Sequence, residues 1–164
     1  MDEKQKKRIR RERKQFLIRL LIYGILVAAA LFCLKFRVAH TNNMFPAVRD
    51  GDLAVFTQFR KYGLDSIVLY EAEGSTHIGR IKAQGGDTVS IEDNALVVNG
   101  SRIYESLPYE TPPGTQEYPL KISDDAVFVL SDFRETEDDS RTYGEIPQEN
   151  ILGTILFELR YRGF

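Results

Sequence analysis

Cysteine occurs once in these 164 residues, as Cys33, so no disulfide can form within the chain. That absence does not choose a compartment, because bacterial surface proteins and cytosolic proteins both do without disulfides. Phe32 stands where a lipoprotein needs a small residue before its cysteine. A thiol in an apolar run reads as a buried small hydrophobe, with S-acylation as the alternative. Histidine occurs twice, His40 and His77, and without companion thiols the pair argues against a zinc site. The acids Glu135, Glu137, Asp138 and Asp139 lack the glycine and the alternating oxygen ligands of a calcium loop, and read as solvated. No metal and no cofactor is expected. Helical periodicity is missing from residue 37 onward, apart from one turn around residues 147–150, and no repeat or low-complexity tract occurs.

What is present is unevenly distributed. Residues 1–36 hold ten Lys/Arg against three Asp/Glu, a net +7, which leaves twelve against 21, a net −9, for the remainder. Residues 20–34 follow the basic arm as fifteen residues without a charge, extended to residue 16 if Arg19 snorkels. The expected organisation is a cytoplasmic basic arm over 1–15, a transmembrane anchor over 16–36 and an external domain over 37–164, in the cell membrane with the N-terminus inside. Ala28, Ala29 and Ala30 offer a rival signal-cleavage site, but the apolar run continues past them. With an apolar run directly behind it, the arm is read against lipid headgroups and not against nucleic acid.

The domain itself reads as mainly β. Apolar runs or alternation predict strands over residues 53–56, 66–70, 77–82, 88–91, 95–98, 102–104, 127–130 and 151–159. Asn99-Gly100 is a hairpin dipeptide. Residues 106–119 carry four prolines and a glycine and predict an irregular excursion.

Three stretches carry a resemblance. Residues 41–52, TNNMFPAVRDGD, place Met44, Pro46, Gly51 and Asp52 at the offsets of S-M-x-P-T-L-x-x-G-D, with Asn43 at the serine position. In residues 77–89, HIGRIKAQGGDTV, alignment on Gly86-Asp87 with K-R-V-I-G-x-P-G-D-x-V puts Arg80 on the arginine and Gly79 on the lysine. In residues 129–153, Asp132, Asp139, Ser140, Arg141, Gly144, Pro147, Ile151 and Gly153 match G-D-N-x-x-x-S-x-D-S-R-x-x-G-x-V-P-x-x-x-I-x-G, while Ser131, Phe133 and Glu137 replace the Gly, the Asn and the first Ser. The chain resembles type I signal peptidases.

That resemblance implies a signal-peptidase-like β domain behind one transmembrane helix, and an ion pair between Arg80 and Asp139 with Arg141 close by. It also implies a peptide groove formed by Asn43, Met44, Phe45, Pro46, Gly79, Ser131 and Phe133. Family enzymes are thought to attack with a serine hydroxyl deprotonated by a desolvated lysine. A carboxamide at residue 43 has no ionisable proton to give up, and Lys82 and Arg80 should lie on the strand face opposite Gly79. The expectation is therefore that the chain is not an enzyme. It most resembles the signal-peptidase-like accessory proteins of Gram-positive pilus and sortase systems, which implies pilin precursors or the sortase as partners. Two alternatives stay open. One is a working peptidase with an atypical nucleophile, for which Thr41 and Ser131 are the nearest hydroxyls. The other is a regulator that competes for signal peptidase substrates.

Overall fold

The computed structural model describes residues 3–32, 34–40, 42–59 and 61–160. Cys33 and Thr41, both singled out in the sequence, lie outside the described residues, as does Tyr161, which reads as a packing residue rather than a catalytic one. The chain divides into two compact units, Met1–Leu34 and Lys35–Phe164.

The first unit is a helix, α1, Glu3–Phe32. Charges run through it as far as Arg19, so its uncharged part spans residues 20–32. At 1.5 Å per residue that part measures about 20 Å, short of a hydrocarbon core of about 30 Å. Among the described residues, no helix is long and apolar enough to cross a membrane. The expected anchor over 16–36 also ends early, since the chain is already strand from Leu34.

The second unit is built from eleven strands among the described residues: β1 Leu34–Val38, β2 Leu53–Thr57, β3 Ile67–Ala72, β4 Ser75–Gln84, β5 Thr88–Glu92, β6 Ala95–Val98, β7 Ser101–Arg102, β8 Leu120–Lys121, β9 Ala126–Leu130, β10 Ile146–Pro147 and β11 Ile151–Leu159. A short helix, α2 Ser140–Tyr143, and a 3-10 turn, Gln148–Asn150, sit between β9 and β11. Seven strands form one sheet in the order β1-β2-β11-β3-β4-β9-β10, and four form a second in the order β7-β6-β5-β8.

Local chemistry accounts for the hairpins. Glu73-Gly74, Asp93-Asn94 and Asn99-Gly100 each place two successive residues at positive φ. This is the mirror-image turn whose twist matches that of the paired strands, and it favours Asn and Gly. The three turns set the registers Ala72 opposite Ser75, Glu92 opposite Ala95, and Val98 opposite Ser101.

Both faces of the large sheet are covered at its centre, which is why β9 reads AVFVL and is buried at every position. Val68, Tyr70, Ile81, Val127 and Val129 fill one side. On the other, Ala83, Phe128 and Leu130 pack against Val89, Leu96 and Ile122, which seats the small sheet beside β4 and β9. Further along the large sheet, Ala39, Met44 and Val48 pack against Ile67, Ile78 and Ile155.

The strands expected from alternation are present, although residues 102–104 contribute only as far as Arg102, and the irregular excursion expected over residues 106–119 begins at residue 103. β1, β8, β10 and α2 were not expected. In β1 the alternation LKFRV was present, but it read as the exit from an anchor. β8 and β10 are two residues each, below the length at which a pattern shows.

Candidate functional site

The segment before β2 is closed by its own polar groups. Ala39 N donates to Asp52 O at 2.9 Å and Gly51 N to Ala39 O at 2.8 Å. Asp52 is buried and accepts from Arg49 N at 2.9 Å, and Asn42 Oδ1 accepts from Asp50 N at 3.1 Å. Met44 and Val48 are driven into the apolar cluster on the sheet. With Met44 inserted, its neighbour Asn43 is left at the surface of the sheet.

A second segment meets it there. Phe133 N donates to Asn43 O at 2.9 Å, and Asn43 Nδ2 donates to Asp138 Oδ2 at 2.9 Å. Between these lips lies a cleft of about 280 Å³. Arg37, Val38, Ala39 and His40 form one side, Asn43, Met44 and Val48 the loop side, and Leu69, Thr76, His77, Ile78 and Asp138 the remainder.

Asp138 is the hub of the cleft. Its Oδ2 also faces His77 Nδ1 at 3.3 Å, and its Oδ1 accepts from the Tyr143 hydroxyl. A carboxylate can only accept here, so His77 carries its proton on Nδ1 in this contact. His77 Nε2 is buried without a hydrogen-bond partner. The ring is held between Tyr70, at 5.5 Å between centroids, and Tyr143, at 5.1 Å. Burial, then the hydrogen bond to Asp138, pushes the Tyr143 hydroxyl above its ordinary range. Burial, then the nearby Asp139 charge, does the same to Tyr70.

The sequence candidates are dispersed relative to this cleft. Asn43 and Met44 line it; Phe45, Pro46, Gly79, Ser131 and Phe133 do not. Phe45 sits under the Arg49 guanidinium, 5.3 Å from ring centroid to Cζ. Phe133 packs edge-on against Tyr109 at 5.1 Å. Ser131 is fully buried, with its hydroxyl unpartnered and its N–H on Asp139 Oδ2 at 2.9 Å.

Gly79 is buried under neighbours rather than facing an empty pocket. A Cβ there would lie 2.5 Å from Val129 Cγ1, 3.2 Å from Tyr70 Cε1 and 3.3 Å from Leu130 O. Arg80 and Lys82 lie away from it, around a separate cavity shared with Asp65 and Glu105.

The expected ion pair is corrected. Arg80 pairs with Asp132, Nε to Oδ1 at 2.8 Å and Nη2 to Oδ2 at 2.6 Å. Asp139 is taken by Arg141 instead, at 2.9 Å through Nε and 2.8 Å through Nη2, with both side chains fully buried. The register explains the exchange: Arg80 is opposite Leu130, and Asp132 follows two residues later on the same side of the chain. Asp139 caps α2 through Arg141 N, which turns its carboxylate toward Arg141.

Asp138 and Asp139 are also not the solvated residues expected, one being buried and the other half-buried. His77 and Asp138 were read as unremarkable, and Tyr143 reads as a packing residue, because each lacks a local signal. Arg134 was missed as well. It is buried and bonded to Ser131 O, Thr111 Oγ1 and Glu105 Oε1. Among the described residues, no group of three or more His, Cys, Asp or Glu could hold a metal ion.

Two lips from distant parts of the chain close over a sheet floor in a mainly β protein. The family model described as signal peptidase, peptidase S26, matches residues 13–159, and the chain belongs to that family. It is 28% identical over 156 residues to the protein named "Probable signal peptidase I-1" of Synechocystis sp., covering 85% of this chain and 79% of that one. It is 31% identical to a signal peptidase I of Leptolyngbya laminosa, over 66% of this chain and 51% of that one. It is 30% identical to thylakoidal processing peptidase 1 of Arabidopsis thaliana, over 71% of this chain and 39% of that one. The chain thus spans about half or less of the length of the last two. A crystal structure of a signal peptidase I from Enterococcus faecalis covers 58% of this chain and 97% of its own, at 24% identity and a TM-score of 0.49.

These names overturn the expectation that the chain is not an enzyme. The proteins it matches are named as peptidases, and membership of the family is membership of a peptidase family.

Proposed function

We propose that the cleft between Asn43 and Asp138 receives an extended segment of a secreted precursor protein at a membrane surface. The observation that carries this reading is the cleft itself, with apolar lining from Val38, Met44, Val48, Leu69 and Ile78 and polar groups from Asn43, His77 and Asp138 among them. Pockets of this make-up, apolar with a few convergent polar groups, are where ligands bind. Pilin precursors and the sortase are the partners nominated by the sequence resemblance. The uncharged, apolar end of α1, behind a basic arm, supports lipid contact with the N-terminus on the cytoplasmic side.

The His77–Asp138 contact favours a second reading, hydrolysis of the segment held there. Asp138 orients the imidazole through Nδ1, which leaves Nε2 to take a proton from a water; that nitrogen is buried, so this reading requires the Tyr70–His77–Tyr143 stack to open when the segment binds. The water oxygen bonds to the peptide carbonyl carbon, the C–N bond breaks, and the proton passes to the leaving amine. As the water adds, the second amide hydrogen of Asn43 donates to the carbonyl oxygen, and Asn43 is not itself the nucleophile.

The test is titration of the purified full chain, in detergent, against labelled pilin precursor, sortase and a signal-sequence peptide, with mass spectrometry of each mixture. Saturable binding to any one supports the cleft reading, and failure with all three overturns it. Cleaved product that disappears in His77→Ala supports the second reading, and intact precursor after prolonged incubation overturns it.

A further inference from the structure

We propose that the cleft recognises a lysine side chain in the segment it holds, with the ammonium seated on Asp138. This rests on the peptide-binding reading above. The Asp138 carboxylate accepts from Asn43 Nδ2 at 2.9 Å, faces His77 Nδ1 at 3.3 Å and accepts from the Tyr143 hydroxyl. A carboxylate offers about four acceptor positions, so one remains, on a side chain that is 40% exposed.

Three other inner carboxylates of this domain carry a permanent cation, while the buried Asp52 is held by the backbone N–H of Arg49 instead. Asp132 has Arg80, Asp139 has Arg141, and Glu105 has Arg134 and Lys82. Among the described residues, no Lys or Arg pairs with Asp138. It is an anion on the wall of a cleft, and an ammonium in the occupant would give it the cation that Asp132, Asp139 and Glu105 already have.

The rest of the cleft fits the stem that would deliver that cation. Val38, Ala39, Met44, Val48, Leu69 and Ile78 line it, and a lysine buries its methylenes along such walls while its ammonium reaches a polar end. A single open acceptor position suits a compact ammonium. The planar guanidinium of arginine needs two parallel acceptors to bind well. Arg37 and His40 occupy another part of the lining, so an acidic residue in the occupant belongs on their side and not at Asp138.

The experiment compares four capped hexapeptides, acetyl-Ala-Val-Ala-X-Ala-Val-amide, with X as lysine, norleucine, arginine or glutamate. Affinities are measured against the purified full chain and its Asp138→Asn variant. The lysine peptide is expected to bind about tenfold or more tightly than the norleucine peptide, the range of a charge-assisted hydrogen bond. Asp138→Asn is expected to erase that difference, so that the lysine and norleucine peptides bind the variant equally. Equal affinity of the unaltered chain for lysine and norleucine overturns the inference and leaves the cleft reading standing, as does glutamate binding as well as lysine. If no peptide binds, both fall. Should Asp138→Asn fail to fold, the comparison on the unaltered chain decides alone.

Discussion

Asp139 and Arg141 face each other two residues apart with no solvent between them, the carboxylate bonded at once to the guanidinium, to Arg141 N at 3.0 Å and to Ser131 N at 2.9 Å. The guanidinium in turn donates to Arg134 O at 2.9 Å and to Thr136 O. One ion pair therefore satisfies backbone groups at Ser131, Arg134, Thr136 and Arg141, along and beside the loop that carries Asp138. Removing either partner strands a buried charge. Arg141→Ala or Asp139→Ala should lower stability by about 3–5 kcal/mol, read as a large fall in Tm, and an unchanged Tm would show that the pair does not hold the loop.

Gly79 supplies a steric prediction. With Val129 Cγ1 at 2.5 Å from the position of a Cβ, Gly79→Ala should cost about 1–3 kcal/mol by overpacking, and Gly79→Lys more. Val129→Ala placed beside Gly79→Ala should recover part of that loss. Chemical denaturation of the three variants checks it, and additive losses would locate the strain elsewhere.

Glu105 gives a pH dependence. Burial alone pushes its carboxyl up, but the bonds from Arg134 and Lys82 outweigh burial and hold it below its ordinary value. A lowered folded value means that Glu105 stabilises the fold fully above the ordinary glutamate range, and that this contribution is lost as pH falls through the folded value. Glu105→Gln should therefore be about 2 kcal/mol less stable than the parent near neutrality. The gap should close on acidification below about pH 4. Urea melts at a series of pH values measure this, and a gap that does not change with pH would remove Glu105 from the account.

Val38 tests the cleft without disturbing the core. It lines the cleft yet is 46% exposed, so Val38→Trp should fold with an unchanged Tm while weakening peptide binding about tenfold or more through lost space. Unaltered binding in a folded Val38→Trp protein would place the peptide elsewhere.

The strands were legible in the sequence where burial on one or both faces left a pattern, as in Ile67–Ala72 and Ala126–Leu130, and the hairpin at Asn99-Gly100 was legible from the dipeptide itself. α2 had a readable start and stop, Asp139 as its cap and Gly144 at its end, but one helical turn carries no periodicity. Ion-pair partners were not legible. Asp132 and Asp139 are both plausible mates for Arg80 until the β4–β9 register is known, and register is a property of two strands. The hub at Asp138 was hidden for the same reason, since Asn43, His77 and Tyr143 reach it from three separate stretches of chain. Arg134 reads as a surface charge in any local window, because only the folded excursion brings Glu105 and Thr111 to it.

The bond from Asn43 to Asp138 spans 95 residues, and this has a bearing on biosynthesis. A chain emerging N-terminus first exposes the Asn43 lip long before residue 138 has been made. Until then it has half a cleft, with Met44 and Val48 waiting for β11, which carries Ile155. A segment that needs both lips, as proposed above, would find them together only after residue 138 has been made.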